Sequence, residues 1–532
     1  MKWKATILAV GLLLLWTAPS FAEVQNVRVG GDITVRVFHR ENLDLAGEDD
    51  HAEPTDSIGD GSSWDEHYNS VLEDNGLGIL GCDGSSVPAK CSLFDGQDDF
   101  ISQWTGVNVA ADLTENVSAF IRLLSERDWN VDSNANVQTD DHSDEHRIGA
   151  SVGDFEAAQA YITLKEFFYT PLTIRIGRQP ISWGRGLILG SSLIPDTQGR
   201  PGDLNSALSP DEYTGFTSFD AFRVTLDLQG TAAIDLPVTV DYVYIKLDEN
   251  DIGQPDDINI QGVNVGTRFD QMNGEVEAYY LNKRDKNTEA FPTVVEAVSP
   301  PSSINGDGSV NTLGVRGSFQ PMDGTYVFGE LAYQFGKRAT DPTLVLSAGD
   351  SQQAWAANLG AEYTLSDMTW SPMVGAEWLF LSGKDVDGGV AGWDPLARGY
   401  FPNALRDFQN VGFYLPDQRC LQAGTFGPCT STWTNQHTLS LYGRMSPLQD
   451  LTVAPRISWF ILDEDARPIG TDGVDNQHQK YAGFEWDTQV TYDYTEDVQL
   501  GFLYALFVPG NTYRSPWNDT AQELVTSISV QF

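Results

Sequence analysis

The sequence predicts an all-β protein: a single transmembrane antiparallel β-barrel of about 18 strands, with short periplasmic turns and long external loops. Three observations predict it. Segments of about 9–14 residues alternate apolar and polar side chains from residue 27 to residue 532, the period-two pattern of strands with one apolar face. The connections between these segments alternate short and long. After residue 22 no stretch approaches the roughly 18 apolar residues that a transmembrane helix requires.

Residues 1–22 read as a cleaved signal peptide. Lys2 and Lys4 form a basic n-region, Ile7 to Trp16 an apolar core, and Ser20-Phe21-Ala22 a small-x-small cleavage site, so that the barrel occupies 23–532. The first strand is expected at 27–40, where Val29, Ile33, Val35 and Val37 share one parity and Arg28, Asp32, Thr34 and Arg36 the other. The next follow at 100–112, 117–129, 154–165, 172–183, 218–229, 236–247, 257–269 and 273–284. The second half continues at 310–321, 324–337, 352–365, 370–382, 435–446, 449–462, 481–495, 497–507 and 521–532.

Connections after even-numbered strands are short, such as Thr114-Glu115-Asn116 and Ser446-Pro447-Leu448. Those after odd-numbered strands are mostly long: 41–99, 130–153, 184–217, 285–309 and 383–434. Placing every long loop at one end is the habit of outer-membrane barrels, and polar residues inside the strands then face a hydrated lumen. In the last strand Leu524, Ile528, Val530 and Phe532 share a parity, resembling the terminal aromatic signal that such barrels present to their assembly machinery. Trp378, Phe380, Trp459, Phe484, Trp486, Tyr492 and Tyr504 suit interfacial girdles in contact with lipid and lipopolysaccharide.

The 532 residues carry 32 Lys+Arg against 75 Asp+Glu, a net charge of −43, which argues against a nucleic-acid partner. Catalytic motifs are missing: no G-x-S-x-G, H-E-x-x-H or P-loop, and the seven histidines fall in loops or near strand ends, so neither enzyme nor cofactor is expected. Residues 41–99 hold sixteen Asp/Glu against the single Lys90. Asp140-Asp141-His142-Ser143-Asp144-Glu145-His146 is read as a solvated charge run, and no metal site is assigned. Cys82, Cys91, Cys420 and Cys429 form two local pairs nine positions apart. In an exported chain these read as the loop staples Cys82–Cys91 and Cys420–Cys429.

The lumen is expected to be charged on two arcs. Arg28, Arg36, Arg122, Arg175, Arg223, Arg444 and Arg456 lie on the parity opposite the apolar one. Glu277, Glu330, Glu362 and Glu377 occupy the inward parity of strands 9 and 11–13. Two facing walls of this kind set a transverse field across a pore, with internal salt bridges as the competing reading; Arg316, Glu485 and Asp487 interrupt the segregation. Loop 184–217 combines Gly184, Gly186, Gly190, Gly199 and Gly202 with three prolines and apolar Leu187, Ile188, Leu189, Leu193 and Ile194. It is the candidate to fold inward and narrow the pore.

The stretch Ile174-Arg175-Ile176-Gly177-Arg178-Gln179-Pro180-Ile181-Ser182-Trp183-Gly184-Arg185-Gly186 resembles the I/V-G-R-Q-x-x-x-x-G strand and turn of alginate-export-like porins. Downstream, Ser218-Phe219-Asp220-Ala221-Phe222-Arg223 resembles that family's S-F-D-G-x-R motif. The resemblance implies an eighteen-stranded barrel and places Arg175, Arg178, Arg185 and Arg223 near an arginine-rich constriction that passes a uronate polysaccharide. Against it, the inward charges here are mixed and loop 184–217 is acidic. The expectation is therefore a passive, substrate-selective channel for small hydrophilic or anionic solutes. An alginate-like polysaccharide exporter and a surface-binding or structural barrel are the alternatives.

Overall fold

The computed structural model describes residues 26–43, 45, 97–129, 155–191, 218–229, 237–248, 257–286, 308–337, 351–383, 390–408, 434–466, 479–513 and 518–532. The wall begins with β1 (Asn26–Glu41), β2 (Gln97–Thr114), β3 (Val117–Asp128), β4 (Glu156–Leu164), β5 (Leu172–Gln179) and β6 (Phe219–Asp227). It continues through β7 (Val238–Asp248), β8 (Ile258–Phe269), β9 (Gly274–Asp285), β10 (Gly308–Phe319), β11 (Thr325–Lys337) and β12 (Ser351–Thr364). It ends with β13 (Met373–Leu381), β14 (Gln436–Leu448), β15 (Leu451–Ala466), β16 (Gln479–Asp493), β17 (Val498–Pro509) and β18 (Ala521–Gln531). Each strand pairs antiparallel with its sequence neighbours, and β1 pairs with both β2 and β18, so the sheet closes into an 18-stranded barrel.

All eighteen strands lie where the polarity alternation placed them, with ends displaced by at most four residues. A two-residue strand, Val390–Ala391, lies outside the wall register and pairs in parallel with the start of β12. The outward parity is apolar: Val37, Ile162, Val265, Leu313, Leu441 and Leu500 are each at least 40% exposed, as lipid-facing residues must be. Closure leaves no open edge, so backbone groups can be satisfied in hydrocarbon. The signal peptide, the four cysteines, the 140–146 run and most of the acidic external residues lie outside the described residues.

The inner parity changes character along the barrel. Towards the periplasmic end and the middle it is polar, as the sequence suggested. Near the external end it becomes apolar on the arc from β6 to β13, through Val243, Ile245, Ile260, Leu281, Leu379 and Leu381. A second inward apolar group, with Phe38, Phe460, Leu503, Phe507 and Val525, lines β15–β18 and β1. Both surfaces are covered by chain that folds into the barrel from the external side.

At the seam, Asp32 to Glu41 of β1 pair with Gln531 back to Gln522 of β18. Gly31 N–H donates to the Phe532 carbonyl at 2.8 Å, and the Phe532 amide returns a bond to Gly31 at 3.0 Å. A Cβ on Gly31 would sit 2.5 Å from the Gly106 carbonyl oxygen and 2.8 Å from the Phe532 ring. A Gly31→Val substitution is therefore expected to force the seam apart and cost about 1–3 kcal/mol. The check is a lower urea midpoint of the folded barrel, and an unchanged midpoint would show that both the Phe532 ring and the β1–β2 backbone at Gly106 give way freely.

Candidate functional site

The interior is organised by two inward segments. The first follows β5 directly. Gln179 Nε2 caps the strand by donating to the Ala221 carbonyl at 3.0 Å, and residues 181–191 then fold back as a small hairpin. Ile181 and Ser191 exchange hydrogen bonds, and Trp183 N–H donates to the Leu189 carbonyl at 2.9 Å. Leu187, Ile188 and Leu189 are 1–2% exposed against the apolar inner wall. Each such burial stabilises by about 1.5–3 kcal/mol, which accounts for apolar residues in a connection that would otherwise face water.

The second segment is 390–408, between β13 and β14, within the connection 383–434 that the sequence predicts only as a long external loop. Trp393 is fully buried in the same apolar group as the first segment. Asp394 pairs with Lys283 at 3.2 Å, and its backbone bonds both ends of the Gln334 amide. Further on, the turn Ala404–Phe408 lies against β16. There Glu485 accepts the backbone N–H groups of Leu405 at 2.7 Å and Arg406 at 2.9 Å, and Asp487 accepts that of Ala404 at 3.4 Å. This is why Glu485 and Asp487 broke the expected charge segregation: they hold backbone donors of the inward segment.

The two segments join each other. Gly190 N–H donates to the Ala397 carbonyl at 2.8 Å, and Gly399 N–H donates to the Gly186 carbonyl at 2.8 Å. The backbones approach so closely that a Cβ on Gly399 would lie 2.5 Å from the Gly190 carbonyl group, which leaves room for glycine alone. A brace of buried backbone thus runs from β9–β12, past the 181–191 hairpin, to β16.

Charged side chains tie this brace to the wall. Glu377 accepts from the Tyr400 hydroxyl at 2.7 and 2.8 Å, from Arg456 at 2.7 Å and from Asn358 at 2.5 Å. Arg185, from the first segment, donates to the Tyr400 hydroxyl at 3.2 Å and lies over the Phe328 ring at 4.1 Å. Glu362 accepts from Tyr442 at 2.8 Å, and Glu330 from Tyr279 at 2.7 Å. Glu277 accepts from Arg316 at 2.7 Å and from the Gly184 backbone at 3.2 Å. The four inward glutamates therefore hold hydroxyls, amides and guanidinium groups of the interior.

The arginines divide into three groups. Arg122 forks onto Asp32 at 2.8 and 3.1 Å, and Arg223 onto Asp241 at 2.8 Å, an Asp that also accepts from Trp183 and Thr225. With Arg456 they are matched by carboxylates in place, so the expected field between a basic and an acidic wall is broken into local pairs. Arg28 and Arg444 sit exposed at the periplasmic ends of their strands, Arg28 within 3.5 Å of Asp112. Arg36 is buried between the Phe38 and Trp104 rings and donates to Ser102, while Arg175 lies over the Tyr161 ring at 4.7 Å, directly opposite Arg223.

Arg178 departs from the sequence expectation. It shares the outward parity of Ile176, faces Ala160 and Asp220 across its neighbours, and pairs with Asp220 at 2.9 Å on the outer surface. Alternation from Arg175 forces this result: three residues along a strand is an odd step, so the two side chains cannot share a face. The motif borrowed from the resemblance had grouped them by sequence proximity alone.

Arg175 is paired with no carboxylate among the described residues and donates to the Thr163 hydroxyl at 3.4 Å, whereas Arg185 is held by the Tyr400 hydroxyl and Arg223 by Asp241. The interior partners that the sequence reading did not single out are Asp32, Asp241, Tyr279, Asn358, Tyr400 and Tyr442. Asp32 had been placed on the polar parity of the first strand. Tyr279 and Tyr442 sit on the inward parity of their strands, and Tyr400 lies in no periodic segment.

The sequence profile of the alginate export family matches residues 95–527. No curated protein sequence matches the chain. Solved structures align with it over nearly its whole length at low identity. Pseudomonas aeruginosa OpdQ aligns at 9% identity with a TM-score of 0.47, covering 96% of this chain and 98% of that one. Acinetobacter baumannii OccAB4 aligns at 7% and 0.48, covering 97% and 100%. Pseudomonas aeruginosa OccK2 (OpdF), solved in complex with glucuronate, aligns at 10% and 0.45, covering 96% and 97%. With a profile match spanning most of a closed, lipid-faced, 18-stranded barrel, the chain belongs to the alginate export family and is an outer-membrane channel of porin type.

Proposed function

We propose that this channel is passive and substrate-selective, passing small hydrophilic solutes with a preference for anions, and that its selectivity is set where the inward brace meets the β4–β7 wall. The observation that carries this reading is Arg175: an inward guanidinium beside Arg223, with one carboxylate, Asp241, serving the pair. A solute carboxylate arriving there supplies the acceptor that Arg175 lacks, at the strength of a charge-assisted hydrogen bond. No covalent step or cofactor is required, since a hydrated path with fixed charged rungs replaces part of the solute's hydration shell.

A second reading, export of an alginate-like polyuronate, is favoured by the family match over residues 95–527. The two separate by ligand length. Single-channel current in a planar bilayer under a salt gradient should be blocked by monomeric uronate on the first reading. On the second, block should appear only with oligouronate and strengthen with chain length. Arg175→Gln is expected to weaken block roughly tenfold or more, the loss of one hydrogen bond between charged partners, and to move the reversal potential towards cation preference. Unchanged block and selectivity would remove Arg175 from the pathway.

A further inference from the structure

The outer surface of the barrel carries a charge pattern that the lumen does not explain. Residues directly opposite one another from β5 to β12 run Arg178, Asp220, Lys246, Asn259, Arg284, Ser309, Lys337 and Ser351. All share the outward parity, and all lie at the external ends of their strands. Cations stand on every second strand, β5, β7, β9 and β11, hence about 10 Å apart at the usual interstrand spacing. Between them are one carboxylate and three small neutral hydrogen-bonding side chains.

Two of the cations are matched: Arg178 by Asp220 at 2.9 Å and Lys246 by Asp257 at 3.3 Å. Arg284 and Lys337 are exposed and meet no carboxylate among the described residues. Just below this row the same face carries Tyr242, Tyr244, Tyr280, Tyr333, Phe335 and Trp355, the amphipathic rings that mark a bilayer interface. Tyr244 donates to Asn259 at 3.2 Å, and Tyr280 to Asn311 at 2.7 Å, so the aromatic band is hydrogen-bonded up into the polar one. On β18 and β1 the facing outward positions at the external end hold Gln522 and Glu41 instead, so the basic row is not a general feature of the rim. In a chain of net charge −43, a row with an excess of cations at headgroup height is a specific placement.

We propose that the external outer face of β5–β12 docks the phosphorylated headgroup of outer-leaflet lipopolysaccharide. Arg284 and Lys337 engage its phosphates, Asn259, Ser309 and Ser351 its sugar hydroxyls, and the Tyr–Trp band its acyl chains. Two phosphates on a disaccharide lie roughly one cation spacing of this row apart, and an ordinary phospholipid carries only one. The site is independent of what passes through the pore.

The test measures lipid binding to the purified full barrel in detergent by native mass spectrometry, with bisphosphorylated lipid A, the same lipid stripped of phosphate, and phosphatidylglycerol as probes. The comparison is between the wild-type protein and an Arg284→Gln/Lys337→Gln variant. A cation near an anionic lipid surface is worth roughly a fivefold change in binding, so the double variant should bind bisphosphorylated lipid A about 30-fold more weakly. The dephosphorylated lipid should bind both proteins alike. Unchanged conductance of the variant establishes that it folds, because neither residue faces the lumen. Equal binding of bisphosphorylated lipid A by both proteins, or equal loss of phosphatidylglycerol and lipid A in the variant, would overturn the proposal.

Discussion

Removing the inward segment from Trp393 to Asp407 and rejoining the flanks with a short glycine-serine linker should raise single-channel conductance several-fold while leaving the barrel folded. The wall does not depend on this segment for its backbone pairing: β13 and β14 bond each other directly through Met373↔Arg444 to Leu381↔Gln436. The segment instead occupies interior space, from Asp394 beside Lys283 to the turn at Glu485. Its loss also releases the 181–191 hairpin, which gives up both glycine backbone bonds and the Arg185–Tyr400 contact. Current recorded in planar bilayers at fixed salt decides the matter. If conductance is unchanged, the narrowest point lies elsewhere and the brace is a structural filler.

What the sequence made legible follows from the length scale of each interaction. Strands were visible because alternation is a local signal, written in the residues of the strand itself, as in Val29, Ile33, Val35 and Val37. The inward hairpin after β5 was partly visible, because Leu187, Ile188 and Leu189 make an apolar run in a connection. The 390–408 segment was not, since its anchors are contacts across large sequence separations: Tyr400 to Glu377 and Arg456, Leu405 to Glu485, Gly399 to Gly186. No periodicity records such contacts. One clue was nonetheless present. Trp378-Leu379-Phe380-Leu381 and Tyr242-Val243-Tyr244-Ile245 are apolar on both parities, which a water-lined strand does not tolerate. Apolar inward positions near the external ends imply something packed inside.

The charged interior shows the same limit in a different form. Parity alone placed the side chains of Arg122, Arg223, Arg456, Glu277 and Glu377 inside, yet it could not say which of them pair. Pairing depends on register across neighbouring strands and on insertions such as Tyr400. The result is a set of closed local pairs rather than two opposed walls, and Arg175, held over the Tyr161 ring beside Thr163, is not among them.

Glu377→Ala is expected to cost about 3–5 kcal/mol of barrel stability, the usual consequence of removing one partner from a buried ion pair. The carboxylate accepts four contacts from three elements: Arg456 on β15, Asn358 on β12 and Tyr400 on the inward segment. Without it the Arg456 guanidinium, 5% exposed over the Tyr442 ring, keeps its charge and loses its counter-ion. Tyr400→Phe removes only the hydroxyl and should cost about 1–3 kcal/mol, because the ring still packs while Arg185 loses a hydrogen-bond partner. An Arg456→Met change combined with Glu377→Gln should recover part of the loss, since no unpaired charge then remains inside. Urea unfolding of the reconstituted barrel, read by tryptophan fluorescence, gives the three midpoints. A Glu377→Ala midpoint within error of wild type would mean that water reaches Arg456, and that the hub belongs to the conducting path rather than to the packed brace.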